Sequence, residues 1–408
     1  MAHAHSHGAA GPAAPRTTFL LVVILVSALL ATLAGLWLLW PNAGDVPDRV
    51  AARAEGTSFV DVTVTGPADP TTGSIPVELP GGEASRMQSP GPSVPLAVGD
   101  RITAVDISQV SQPGVDPLVF MDFQRELPIA LLAIVYALVV LLVARWRGLA
   151  AMAGLGLAFA VLLGFTMPAL LAGESAIGVA LVTSSLVMFV TLYLAHGLSA
   201  RTSTALLGTL VGLALTAVLA AWASGAAQIT GTNDEMSAFL PSSAPGADLR
   251  GIALCGIVLA GMGVLNDVTI TQASAVWELR AVAPAASRSE LFTSAMRIGR
   301  DHIASTVYTI AFAYVGAALP LLMMVWLVDQ SPATALTSGE IAEEVVRTLV
   351  GSIGLVLAIP ITTAIATLTV PGPAAEGSTT PEPASDPELM APVSEAWAAG
   401  PAPGTTAN

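Results

Sequence analysis

Gly261-Met-Gly-Val-Leu-Asn-Asp-Val-Thr-Ile-Thr-Gln-Ala-Ser-Ala-Val-Trp-Glu-Leu-Arg280 closes an apolar run that begins at Gly251. About 20 apolar residues cross a bilayer as a helix, and this run is long enough. Its end nevertheless carries Asn266, Asp267, Thr271, Gln272, Ser274 and Glu278. An ionisable group near hydrocarbon is costly and is turned toward protein or water, so it marks a candidate working site. Asp267, Thr271, Ser274 and Glu278 are spaced 4, 3 and 4, which places them on one stripe of a helix.

Seven further apolar runs flank residues 251–273: 18–40, 127–144, 148–171, 176–198, 203–224, 302–328 and 347–370. The fold class expected is mainly α, a polytopic membrane helical bundle of about eight transmembrane helices. Composition agrees. The chain is 54% hydrophobic and 11% charged, with mean hydropathy +0.73, whereas a soluble chain carries about 25% charged residues. All 15 basic residues are Arg. Without Lys there is neither a Walker A phosphate loop nor a lysine Schiff base, since both need the amine. The single cysteine, Cys255, makes no internal disulfide, zinc cluster or iron–sulfur site, and it reads as a small packing residue. The first run is too long for a signal-peptide core and no A-x-A site follows it, so it is expected to remain as an anchor.

Arg placement sets orientation. With Arg16 cytosolic, eight crossings bring Arg145, Arg147, Arg201, Arg280, Arg288, Arg297 and Arg300 to the same side. The opposite short loops hold Arg250 and Arg347 among Glu174, Asp234, Glu235, Asp248, Asp329, Glu340, Glu343 and Glu344. Both termini are therefore expected in the cytosol, with residues 41–126 outside. That outer segment has net charge −7, and the tail 371–408 has −5; neither is a nucleic-acid footprint, which would be basic. Residues 58–65 and 101–107 alternate, and 75–79 and 94–98 are short apolar runs, with Gly99-Asp100 punctuating the last pair as in a tight hairpin. A small extracytoplasmic β-rich domain of four to six strands is expected over 41–126. It is short for an independent core. Residues 1–17 read as a disordered arm, 127–370 as a seven-helix membrane domain and 371–408 as a disordered Pro/Ala-rich tail.

A second polar stripe opens the seventh run, at Arg297-Ile-Gly-Arg-Asp-His302. Asp301, Ser305 and Tyr308 share one helical face, and His302, Thr306 and Thr309 the next. The expectation is an Asp267 paired with Arg297 or Arg300 and joined by Asp301 and His302, lining a cavity open to the cytosol. The competing reading is two polar helix ends in the headgroup zone. Pro168, Pro320 and Pro360 fall at depth in their runs, where they break or kink helices. Gly208 and Gly212 permit close helix contact. His3, His5 and His7 alternate on the arm as a loose tract, and no metal or cofactor is expected. His196-Gly-Leu-Ser199 lacks the G-x-S-x-G form of a serine site.

Residues 261–278, Ile298-Gly-Arg-Asp-His302, Ala313-Tyr-Val-Gly-Ala-Ala-Leu-Pro-Leu-Leu322, Leu96-Ala-Val-Gly-Asp-Arg-Ile102, and 343–360 with Arg347, Gly351 and Pro360 together resemble the YibE/F family of bacterial membrane proteins. Its Gly-rich turn and Asp in the sixth span, and its Ile-Gly-Arg-Asp before the seventh, match Gly261, Gly263, Asp267, Gly299, Arg300 and Asp301. The resemblance implies a permease or a membrane protein without an assigned substrate. The function expected is a secondary permease for a small solute or ion, not an enzyme, with the lipid bilayer as its surroundings and an envelope partner for residues 41–126. A membrane scaffold or envelope sensor is the first alternative. An intramembrane hydrolase using Asp267 and Asp301 is the second, since like charges can share a proton, although the Gly-x-Gly-Asp form is absent.

Overall fold

A computed structural model describes residues 15–112, 114–232 and 235–373. The expected arm and tail lie outside the described residues except for 15–17 and 371–373, and so do His3, His5 and His7. Helix α1 spans Pro15–Leu38 of the described residues.

Five strands follow: β1 (Ser58–Val64), β2 (Ser74–Glu78), β3 (Ala84–Gln88), β4 (Arg101–Asp106) and β5 (Leu118–Phe123). They close into a barrel in the order β1-β2-β3-β5-β4, with β3 parallel to β5 and the other neighbours antiparallel. This is the five-stranded order of an OB-type barrel. Val62, Val64, Ile75, Val77, Met87, Ile102, Ala104 and Leu118 fill it. Alternation along each strand leaves Asp61, Glu78 and Arg101 exposed on the outer face. The expected strands at 58–65, 75–79 and 101–107 are present. Residues 94–98 are not a strand but lead irregularly into a turn at 98–99, where Gly99 adopts φ 97 and the Asp100 carboxylate accepts the Ala97 N–H at 2.8 Å. Residues 84–88 and 118–123 form strands that their short, mixed composition did not announce.

The helical part comprises α2 (Glu126–Val161), a π-helical turn (Leu162–Thr166), α3 (Met167–Leu171), α4 (Ala176–His196), α5 (Ala200–Ala226), α6 (Glu235–Ser243), α7 (Leu249–Val282), α8 (Arg288–Ala317), α9 (Leu319–Leu327), α10 (Pro332–Leu336) and α11 (Gly339–Thr369). Six helices are long and apolar enough to cross a membrane, or seven with the bent α8–α9 pair, when 126–171 is taken as one among the described residues. That stretch has two arms. Arg145 leaves helical geometry at φ 54, ψ −130, and a Cβ on Gly148 would lie 2.7 Å from the Val140 carbonyl oxygen. Residues eight apart in a straight helix are about 12 Å apart, so the chain reverses at Arg145. The expected separation of 127–144 from 148–171 is thereby accounted for.

The three prolines act differently. Pro168 lacks an N–H, and its ring crowds the carbonyl four residues back. The preceding turn widens to a π-helix rather than breaking. Thr166 donates to the Val161 carbonyl at 3.3 Å and shares a 2.7 Å hydrogen bond with Thr183. Pro320 sits in the first turn of α9, beyond a 68° bend from α8. The seventh expected span is therefore broken. Pro360 lies inside a continuous α11.

The core is the mutual packing of α5, α7 and α11 through small residues. The Cα of Gly351 lies 3.9 Å from where a Gly261 Cβ would stand, and Gly208 faces Thr362. Some fully buried hydroxyls bond one another, Thr209 with Thr269 at 2.6 Å, or backbone, Thr216 to the Gly212 carbonyl at 2.8 Å, while those of Ser184 and Thr362 have no hydrogen-bond partner among the described residues. Cys255 is buried in the same cluster, as its reading as a packing residue requires.

Candidate functional site

Helices α7 and α8 form an antiparallel hairpin. Its turn is fixed by a capping box, in which Ser287 accepts the Glu290 N–H at 3.2 Å and Glu290 accepts the Ser287 N–H at 2.7 Å. Arg280, 3% exposed, donates through Nη1 to the carbonyls of Pro284 and Ala286 at 3.0 and 2.7 Å. Its cation also lies at the negative end of α7. Further along, Gln272 is buried and donates to the Ala295 carbonyl at 2.9 Å. This register carries Asp267 to His302, with Oδ2 and Nε2 4.0 Å apart.

The expected Asp267–Arg pair is not formed among the described residues; Asp267 instead approaches His302, whose Nε2 at 4.0 Å makes no hydrogen bond. Arg297, Arg300 and Asp301 are exposed and make no ion pair with Asp267 among the described residues. The reason is rotational. On α7, Leu265, Val268, Thr269, Gln272 and Ala273 take the inward face, which turns Asp267, Thr271 and Glu278 outward. The stripe is an outer surface rather than a cavity lining, with the Asp267 side chain 73% exposed and Ser274 half-buried. Glu278 stands 3.9 Å from Arg201 of α5. His302 is more sheltered, at 29%, and its carbonyl accepts the Thr306 hydroxyl at 2.8 Å. The Asn266 Oδ1 is buried without a hydrogen-bond partner. Ser199, considered and set aside as a nucleophile, caps α5 by accepting the Thr202 N–H at 3.1 Å.

A second constellation was missed. The helix containing the eighth run starts at Gly339, eight residues before the apolar stretch, so Glu343, Glu344 and Arg347 lie on α11 and not in a loop. Arg347 donates through Nη2 to Glu343 at 2.9 Å and through Nη1 to Glu344 at 2.7 Å. The three side chains are only 16–31% exposed. The spacing was visible, since acids three and four residues before an Arg share a helix face; hydropathy placed them in a loop. Glu344 also lines a cleft of about 320 Å³ with Tyr314, Leu322, Leu336, Ile341 and Thr348. The bend at Ala318 opens this cleft by turning α9 away from the line of α8. Tyr314 and His302 are twelve residues apart on α8, about 18 Å.

Against known proteins, a family model described as YibE/F-like protein matches residues 132–372, more than half of the chain. No curated protein and no solved structure matches it.

Proposed function

The chain belongs to the YibE/F-like family, and from that premise we propose that it is a multi-pass bacterial membrane protein acting as a secondary permease for a small solute or ion, with α8–α9 as its moving part. The observation that carries the reading is that one loosely held helix joins the Asp267–His302 locus to a largely apolar cleft edged by Glu344. Only Leu291, Ala295, Gly299 and Ile310 of α8 are buried, whereas α5, α7 and α11 interlock through glycines and threonines. His302 meets Asp267 at one end of α8, Tyr314 enters the cleft beside Glu344 near the other, and the 68° bend follows. A rocking α8 would open one locus as it closes the other, which is alternating access by one element against a fixed core.

Orientation follows from charge. Arg147 and Arg201 both lie within electrostatic reach of His196, and Arg201 approaches Glu278, so the Arg-bearing helix ends gather at one end. The positive-inside rule makes that end cytosolic, with both termini there and the barrel outside. Helix α7, at 34 residues, is about 51 Å long against a hydrocarbon core of about 30 Å, so the α7–α8 hairpin extends into the cytosol. The proposal is of transport, not catalysis: Asp267 approaches His302, and Asp301 is exposed.

The test is uptake of labelled ions and small solutes into proteoliposomes by wild type, Asp267→Asn and Glu344→Gln. Flux in wild type that falls in both variants, each inserted normally, is the expected result. Absence of flux with every solute, or equal flux in all three proteins, would overturn the reading.

A further inference from the structure

The barrel carries a polar pocket of about 330 Å³ at the end where the chain leaves it for α2. Its charged and polar lining includes Asp61, Thr63, Glu78, Arg101 and Gln124. Register fixes their layout. Thr63 of β1 lies opposite Glu78 of β2 on one side and opposite Arg101 of β4 on the other. Glu78 and Arg101 are thus two strand spacings apart, roughly 9.6 Å at the backbone, and make no ion pair with each other among the described residues. Asp61, two residues before Thr63 on the same face, holds the Thr103 hydroxyl at 3.1 Å through Oδ1. The pocket therefore presents a cation on one wall and two carboxylates on the others, uncombined, with hydroxyl and amide groups between them.

Its position is equally specific. The Arg101 carbonyl accepts the Gln124 N–H at 2.9 Å, and α2 begins two residues later at Glu126. The first arm of α2 exposes Leu127, Ile129, Leu131, Leu132, Ile134 and Val135, an apolar surface suited to hydrocarbon. Two residues span at most about 7 Å, so with this arm in the bilayer the pocket stands at headgroup height.

We propose that this pocket binds a zwitterion bearing a phosphate and an ammonium, the headgroup chemistry of phosphatidylethanolamine. Arg101 takes the phosphate in its planar donor fork, and Glu78 and Asp61 take the ammonium. A uniformly anionic headgroup would meet the two carboxylates, and a quaternary ammonium would offer them no N–H donor. Placement at the membrane rests on the span reading above; the zwitterion chemistry does not.

The full chain in nanodiscs of equal parts phosphatidylethanolamine, phosphatidylglycerol and phosphatidylcholine is compared by native mass spectrometry with Glu78→Gln and Arg101→Gln. Calorimetric titration with free phosphoethanolamine runs alongside. Preferential retention of phosphatidylethanolamine by wild type, falling about tenfold in each variant as a charge-assisted contact is lost, supports a lipid source. Binding of free phosphoethanolamine that both variants abolish, without lipid enrichment, supports the same site with a soluble source. Retention unchanged by either variant together with no phosphoethanolamine binding, or enrichment of phosphatidylglycerol lost only in Arg101→Gln, overturns the proposal. Unchanged circular dichroism of the variants excludes loss of fold.

Discussion

Gly208→Ala tests the packing of α5 against α11. The added Cβ would fall on the Thr362 hydroxyl and lie 3.0 Å from both its Cβ and its Cγ2. Rotating Thr362 relieves the hydroxyl and the methyl but not its own Cβ, which is fixed by the helix backbone. Thr362 is fully buried, so the strain must move a helix. Overpacking of this kind costs about 1–3 kcal/mol, offset by the roughly 1 kcal/mol that Ala gains over Gly in a helix. Because a helix must shift, the cost falls at the upper end, about 2–3 kcal/mol, and the net loss of about 1–2 kcal/mol lowers an unfolding midpoint by roughly 2–8 °C for a domain of this size. Gly263→Ala is the control, because nothing lies within 4 Å of its Cβ position, and it should be neutral or stabilising. The assay is thermal unfolding in detergent followed by tryptophan fluorescence. Adding Thr362→Ala to Gly208→Ala removes two of the three close atoms and should recover part of the loss, giving a coupling energy between the sites. Equal midpoints for Gly208→Ala, Gly263→Ala and wild type would refute the close approach of α5 and α11.

Three further outcomes are expected. Arg347→Ala leaves Glu343 and Glu344 half-buried without their cation and should destabilise by roughly 2 kcal/mol or more; Arg347→Lys should recover only part, because an ammonium does not bridge both carboxylates as the guanidinium fork does, and the same unfolding assay reads both. Ser287→Ala removes the capping box at the α7–α8 turn and should cost about 1 kcal/mol, seen as faster hydrogen exchange at residues 288–291. In the barrel, the Thr71 hydroxyl and the N–H groups of Thr71 and Thr72 hold the Asp69 carboxyl below its ordinary value. A lowered folded-state value contributes stability that is present above the unfolded value and lost as pH falls through the folded one. Carboxyl NMR should therefore show Asp69 titrating below 3.8 in wild type and higher in Thr71→Ala.

The sequence by itself determined the apolar runs, because hydrocarbon-scale hydropathy is a local property that survives without knowledge of neighbours. It also located a small β-rich domain of four to six strands between α1 and α2, though not its closure into a barrel, and marked Gly208 and Gly212 as contact points. It could not decide rotation. Asp267 lies on a real stripe, but that stripe faces outward, because α7 offers Leu265, Val268 and Gln272 to α5, α8 and α11; periodicity gives a face without saying what covers it. Nor could it choose His302 over Arg297 and Arg300, all within one turn and a half, since hairpin register is set by the cap at Ser287 and the Gln272–Ala295 bond. The cleft required the bend at Ala318, where Pro320 turned α9 aside, and the recognition that α11 begins eight residues before its apolar stretch. Pro168 and Pro360 had the same local signature as Pro320, yet one widened a turn and the other was absorbed. What separates the three is the packing around each, which exists only once distant segments are in contact.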